Sequence, residues 1–154
     1  MKYYRSTVKL TIFLSILAFV MSCASQTSFD TPSGKPEVFI PNISKDQVIT
    51  KLAEAGIESG AEIHSLTEYQ LILSAEGSVA QNLFFGSTFN PNTRDVIQFG
   101  FIERDQGVRV IGSRFIVSNP GSGFERRLDA TTGNLGKQVQ MLLDGLRDSF
   151  ARGN

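Results

Sequence analysis

Three cations, Lys2, Arg5 and Lys9, precede an apolar run from Leu10 to Met21, and just beyond that run stands Cys23, the one cysteine among 154 residues. The run is too short to span a hydrocarbon core, which asks for roughly 20 apolar residues in a helix. A cationic start, a short apolar core and a small residue before a cut are the parts of an export signal. A single cysteine also rules out a disulfide framework, although exported chains of this size often use one. The fold therefore has to rest on a hydrophobic core built from the residues after the signal.

The stretch Val20-Met21-Ser22-Cys23 resembles the lipobox of bacterial lipoprotein signal peptides. The resemblance implies loss of residues 1–22, a diacylglyceryl group on the Cys23 sulfur and an acylated new amino terminus. Several acyl chains, at about 0.8 kcal/mol per buried methylene, make a lasting membrane anchor. In Gram-negative cells the family retains proteins in the inner membrane through an aspartate after the cysteine. Here that residue is Ala24, so the resemblance implies an outer-membrane anchor with the domain facing the periplasm. An acylated Cys23 leaves no thiol for a metal site or a nucleophile.

Charge changes with the cut. The whole chain has 15 cations against 15 anions; removing Lys2, Arg5 and Lys9 leaves 12 against 15, a net charge of −3. That balance gives no basic face for nucleic acid. From Ala24 to Pro36 the composition turns to Ser, Thr, Pro and Gly, which predicts a flexible tether over 23–36, with Phe29 either docked on the domain or exposed. The length left over suits one domain, 37–154, with one core.

Within that domain, Glu37 to Ile40 reads as a short strand interrupted by Pro41. Ser44 and Gln47 make a capping box for a helix whose apolar face is Val48, Ile49, Leu52 and Ala53, with Lys51, Glu54 and Glu58 opposite and Gly56 placed to end it. Two β-like runs follow, Ala61 to Leu66 and Tyr69 to Ala75, with a turn or a bulge between them. Gly77 to Phe89 mixes helical spacing at Val79, Leu83 and Phe84 with loop-like Phe85, Gly86 and Phe89. Asp95 to Arg104 and Val108 to Ser118 form a hairpin around Asp105-Gln106-Gly107. Ile97, Phe99 and Phe101 alternate on its first strand; on the second, Val108 and Val110 face one way and Arg109, Ile111, Phe115 and Val117 the other. Asn119 to Gly123 breaks the sheet, and Phe124 to Leu128 reads as a last short strand. Leu135, Val139, Leu142, Leu143, Leu146 and Phe150 then form one continuous helical stripe, its start capped by Thr131, Thr132 or Asn134.

These elements predict an α+β fold: a curved, mostly antiparallel sheet with a short N-terminal helix and a long C-terminal amphipathic helix on one face. The order resembles helix-grip and TATA-binding-protein-like domains, including those of accessory lipoproteins in outer-membrane protein assembly. The resemblance extends over roughly Glu37 to Ala151 in layout only, and no motif carries a functional residue across.

The residues offer no recognisable catalytic constellation. His64 is the only histidine, so a zinc-type site of several imidazoles or thiolates has nothing to be built from, and no nucleophile–base pair is recognisable. Glu54 with Glu58 and Asp144 with Asp148 sit at helical spacing, which solvated helix faces explain. Gly133-Asn134-Leu135-Gly136-Lys137 lacks the outer glycine spacing and the hydroxyl residue of a phosphate loop. Gly121-Ser122-Gly123 lacks the spacing of a nucleophile elbow. The sequence therefore predicts a domain that is not an enzyme and holds no metal or cofactor.

Two features stand out from that background. Arg104, Arg109 and Arg114 lie on the central hairpin with Arg126 and Arg127 just after it, in an otherwise acidic domain; sharing a face, they would meet an anionic surface or an acidic partner. Edge protection by charge is the plainer account of them. Abundant phenylalanine suggests, beside the core, a ligand cavity under the last helix lined by Phe99, Phe101, Phe115 and Leu142. Two readings follow: a membrane-anchored module that docks another envelope protein through a sheet edge or the arginine face, or a carrier or sensor for an apolar small molecule or lipid. Oligomeric state is not set by the sequence.

Overall fold

The computed structural model describes residues 28–76 and 93–153. The expectations for the signal region with Cys23, and those for Gly77 to Phe89, lie outside the described residues. Among the described residues the order is β1 (Glu37–Pro41), α1 (Lys45–Glu58), β2 (Glu62–Thr67), β3 (Gln70–Glu76), β4 (Thr93–Arg104), β5 (Gly107–Ser118), β6 (Arg126–Asp129) and α2 (Gly133–Arg152). All strand pairs are antiparallel, in the spatial order β1-β5-β4-β3-β2. β6 extends the β1 edge by pairing the far half of β5, Phe115 to Ser118. The fold is α+β, with both helices on one face of the sheet.

Alternation on the strands dictates which face that is. In β4 the side chains of Ile97, Phe99 and Phe101 are buried, and in β5 their cross-strand neighbours include Gly112 and Val110. Leu71 and Leu73 of β3 and Val38 and Ile40 of β1 complete the same layer. Against it pack Val48, Ile49 and Leu52 of α1 and Val139, Leu143 and Leu146 of α2. The continuous β4–β5 register puts Arg109, Ile111, Phe115 and Val117 on the other, helix-free face.

α1 starts as its capping box predicts: the Ser44 hydroxyl accepts from the Gln47 backbone N–H, and the Ser44 N–H donates to the Gln47 side chain at 3.2 Å. It ends later than expected. Gly56 lies on the core face, where a Cβ would come within 2.7 Å of Leu73 Cδ1, so it allows close approach to the sheet and the helix runs on to Glu58. Gly60, at φ 84°, makes the stop, its N–H donating to the Ile57 carbonyl at 2.9 Å. At the other hairpin, Gly107 takes φ 147° and lies so near the Ile40 carbonyl that any side chain would collide with it.

Thr132 holds the N-cap position of α2, without a side-chain capping bond. The segment expected to be a tether up to Pro36 is seated on the domain over 28–36. Pro36 is buried and its carbonyl accepts from Gly112 N–H at 2.8 Å; Thr31 to Gly34 forms a turn; and the Phe29 ring lies against Gly136 at the start of α2. Backbone pairing, the Phe29 contact and two side-chain bonds, Lys35 Nζ donating to Ser113 Oγ at 3.3 Å and Ser33 N–H to Glu37 Oε2 at 3.2 Å, hold a stretch whose composition gives little apolar surface. Gln140 then secures the edge, its side-chain amide accepting from Glu37 N–H at 2.8 Å and donating to Glu37 C=O at 3.2 Å.

Candidate functional site

The five arginines are not brought onto one face. Arg114 faces the helices with Val108 and Val110 and is fully buried. Its Nε donates to Asp95 Oδ1 at 3.0 Å, its Nη2 meets Asp95 Oδ2, and its Nη1 donates to Gln138 of α2 at 2.6 Å. A side chain so enclosed cannot contact an outside surface, which corrects the expectation for Arg114. The strand alternation already carries the signal, because position 114 shares parity with Val108 and Val110.

Arg109 and Arg104 lie on the helix-free face by register, Arg104 exposed at the turn. Arg109 is spent on Glu37, its Nε donating to Oε1 at 2.5 Å and its Nη2 to Oε2 at 2.7 Å. That bidentate guanidinium holds the Glu37 carboxyl below its ordinary range. Arg127 is also on this face, stacked over the Phe115 ring at 3.6 Å from its centroid and donating to Gln98 at 3.3 Å. Arg126 pairs with Ser118 and so points to the opposite side of β6.

The aromatic expectation divides as well. Phe99 and Phe101 are core residues, and Phe115 is on the helix-free face with Arg127. Between α1 and α2 the space beneath the helices is about 90 Å³, lined by Leu52, Gly56, Leu73, Phe99 and Leu142. Phe101 and Phe115 do not line it. That is the room of roughly three liquid waters, far below the 300–1,000 Å³ or so of sites that enclose drug-sized ligands.

Two other places stand out. The first is β2, an edge strand with no further strand on its outer side among the described residues. Its Ile63 and Leu66 are 39% and 52% exposed, and Ile57 of α1 and Tyr69 of the β2–β3 turn are more exposed still. The surrounding stretch, 45–68, has two lysines against five carboxylates, a net charge of −3 by that count. Lys45 is drawn in beneath the turn, donating to Glu68 at 2.9 Å with its Nζ 5.0 Å from the Tyr69 ring; the Glu68 bond raises its pKa.

The second is a recess of about 200 Å³ on the helix-free face, lined by His64, Ile72, Ser74, Arg94, Val96, Val117, Pro120, Glu125 and Arg127. His64 reaches it because the β2–β3 register shifts between Ile63 and Ser65, a bulge that leaves His64 without a cross-strand partner. Between the two β-like runs, where the sequence leaves turn and bulge as alternatives, the chain makes a tight turn at Glu68-Tyr69; the bulge at His64 lies inside the first run.

The carboxylate pairs behave as solvated helix faces. Glu54 and Glu58 are exposed on α1, and Asp144 and Asp148 flank Arg147 at 3.2 and 3.3 Å. Among the described residues no cluster of three or more His, Cys, Asp or Glu is arranged to hold a metal, and no helix is long and apolar enough to cross a membrane. No family model matches the chain, no curated protein is detectably similar to it, and no solved structure resembles it.

Proposed function

We propose that this chain is a lipid-anchored protein of the bacterial envelope, held in the outer membrane through Cys23, whose periplasm-facing domain is a non-enzymatic docking module. Its binding surface in this reading is the free edge of β2, and the occupant is an extended segment of another envelope protein. The carrying observation is that edge itself: among the described residues no strand pairs the outer side of β2, which runs beside half-exposed Ile63 and Leu66. An added strand would satisfy the backbone groups and set alternate apolar side chains on Ile63, Leu66 and Ile57. The net −3 of residues 45–68 favours a basic segment over an acidic one. The carrier reading draws less support, because the space beneath α2 is about 90 Å³.

Photocrosslinking in cells distinguishes the two. A crosslinkable residue at Leu66 is expected to capture a discrete protein, whereas one at Met141, more exposed but on the outer side of α2, is not. Equal labelling from both positions, or none from Leu66, would remove β2 as the docking edge.

A further inference from the structure

The helix-free face of the sheet carries a second site, distinct from the β2 edge. We infer that the recess between His64, Arg94 and Arg127 binds a small amphipathic anion: a carboxylate on an apolar body of about six carbons.

The shape and chemistry of the recess both lead there. Its floor is apolar, with Ile72 of β3, Val96 of β4 and Val117 of β5 side by side on adjacent strands. Val96 and Val117 are already buried. Pro120 closes the end next to the 119–123 turn. The volume, about 200 Å³, equals that of roughly seven liquid waters, which matches six carbons and two carboxylate oxygens and is too small to enclose a full lipid.

The walls supply donors. Arg127 is pre-positioned: stacking on Phe115 fixes the plane of its guanidinium, and its hydrogen bond runs to the neutral Gln98 side chain. A guanidinium held this way presents further N–H groups in a fixed fork, the arrangement that binds carboxylates well. Arg94 of β4, which already has an interaction of its own, and Ser74 of β3 line the same space. His64 is aimed in by the β2 bulge, and bulges commonly re-aim a side chain in this way. Among the described lining residues the one acid is Glu125, which accepts from Gly121 N–H at 2.8 Å and so is turned toward its own loop. Among the described lining residues the Arg127 guanidinium, with its further N–H groups, therefore stands beside an apolar strip that gives the ligand's body a place that water fills poorly.

The test is a titration of residues 24–154, which retain every described residue of the domain, with hexanoate, 1-hexanol and inorganic phosphate, followed by two-dimensional NMR. Hexanoate is expected to bind at about millimolar affinity, in keeping with a ligand of its size, and to shift Ile72, Val96, Val117 and Arg127. Hexanol, with the body but no charge, and phosphate, with charge but no body, are each expected to bind at least about tenfold more weakly, the loss of one charge-assisted contact. Arg127→Gln is expected to weaken hexanoate by about tenfold, whereas Arg126→Gln, on the other side of β6, leaves it unchanged. Both arginines are exposed or lightly packed, so neither variant threatens folding. Equal binding of hexanol and hexanoate, shifts confined to other surfaces, or an Arg127→Gln protein that binds hexanoate undiminished would each overturn the assignment. The outcome does not depend on whether the β2 edge docks a partner.

Discussion

Arg114 and Asp95 form an ion pair sealed inside the domain, Arg114 fully buried and Asp95 4% exposed. The pair links three elements. Asp95 belongs to β4 and Arg114 to β5, while Gln138 reaches Arg114 from α2. The backbone of Arg114 is held too, its N–H donating to Thr131 Oγ1 at 3.1 Å and its carbonyl accepting from Ala130 N–H at 2.8 Å just before α2 begins. The charges fix where the long helix lands on the sheet, because a guanidinium with fixed donors accepts few registers.

Breaking that pair from one side leaves a charge stranded in the core. Asp95→Asn and Arg114→Met are each expected to cost about 3–5 kcal/mol in denaturant unfolding, whereas Asp95→Leu combined with Arg114→Met recovers most of the loss. Single variants that each cost under about 1 kcal/mol would mean that water reaches the pair and that α2 is positioned by its apolar stripe alone.

The Glu37–Arg109 pair lies on the helix-free face and makes a pH prediction of definite sign. Arg109 holds the Glu37 carboxyl below its ordinary value of 4.5. A lowered folded-state pKa means that the unfolded chain takes up the proton first. The stabilisation is therefore complete above about pH 4.5 and is lost as pH falls through the depressed value. Glu37→Gln is expected to be less stable than the parent at pH 7 and to lose less stability on acidification. Parallel acid-unfolding curves for the two proteins would show that the pair adds nothing.

Two glycines make opposite predictions. At Gly112 an added methyl would run into Val139 Cγ1 of α2 and lie 3.5 Å from Leu143 Cδ1, so Gly112→Ala is expected to cost about 1–3 kcal/mol by overpacking. Gly145, in the same helix, is exposed, and a methyl group added there would meet nothing within 4 Å, so it is a plain helix-interior glycine. Gly145→Ala is expected to stabilise by about 0.5–1 kcal/mol. Thermal unfolding of both variants checks the pair of signs, and a stabilised Gly112→Ala would mean that α2 does not sit closely on β5.

Much of this architecture is legible in the sequence where one local rule governs it. The Ser44–Gln47 capping box, the Ile97, Phe99 and Phe101 alternation and the α2 stripe all need only neighbours within a few residues. What is not legible depends on partners far along the chain. Gly56 looks like a helix stop until Leu73 is known to pass beside it. Arg114 looks like a surface cation until Asp95 and Gln138 are placed around it, although its parity with Val108 and Val110 points inward. The β2 bulge has no turn residue to mark it, so nothing local tells that His64 leaves the pleat to face Arg127 across the sheet.

The anchor makes the last prediction. If Cys23 takes the acyl groups, its sulfur is the substrate of the first modifying step, and the signal is cut only after that step. Cys23→Ala is then expected to leave an uncleaved precursor that keeps residues 1–22 and incorporates no labelled fatty acid, while the folded domain is unaffected, since no described core residue lies before Pro36. Metabolic labelling with a clickable palmitate analogue, read with an intact-mass measurement, separates the cases. A Cys23→Ala protein that still matures and still carries lipid would overturn the anchor. Retention of the precursor in the inner membrane would support it, because an uncut apolar run flanked by Lys2, Arg5 and Lys9 on the cytoplasmic side holds the chain where it was inserted.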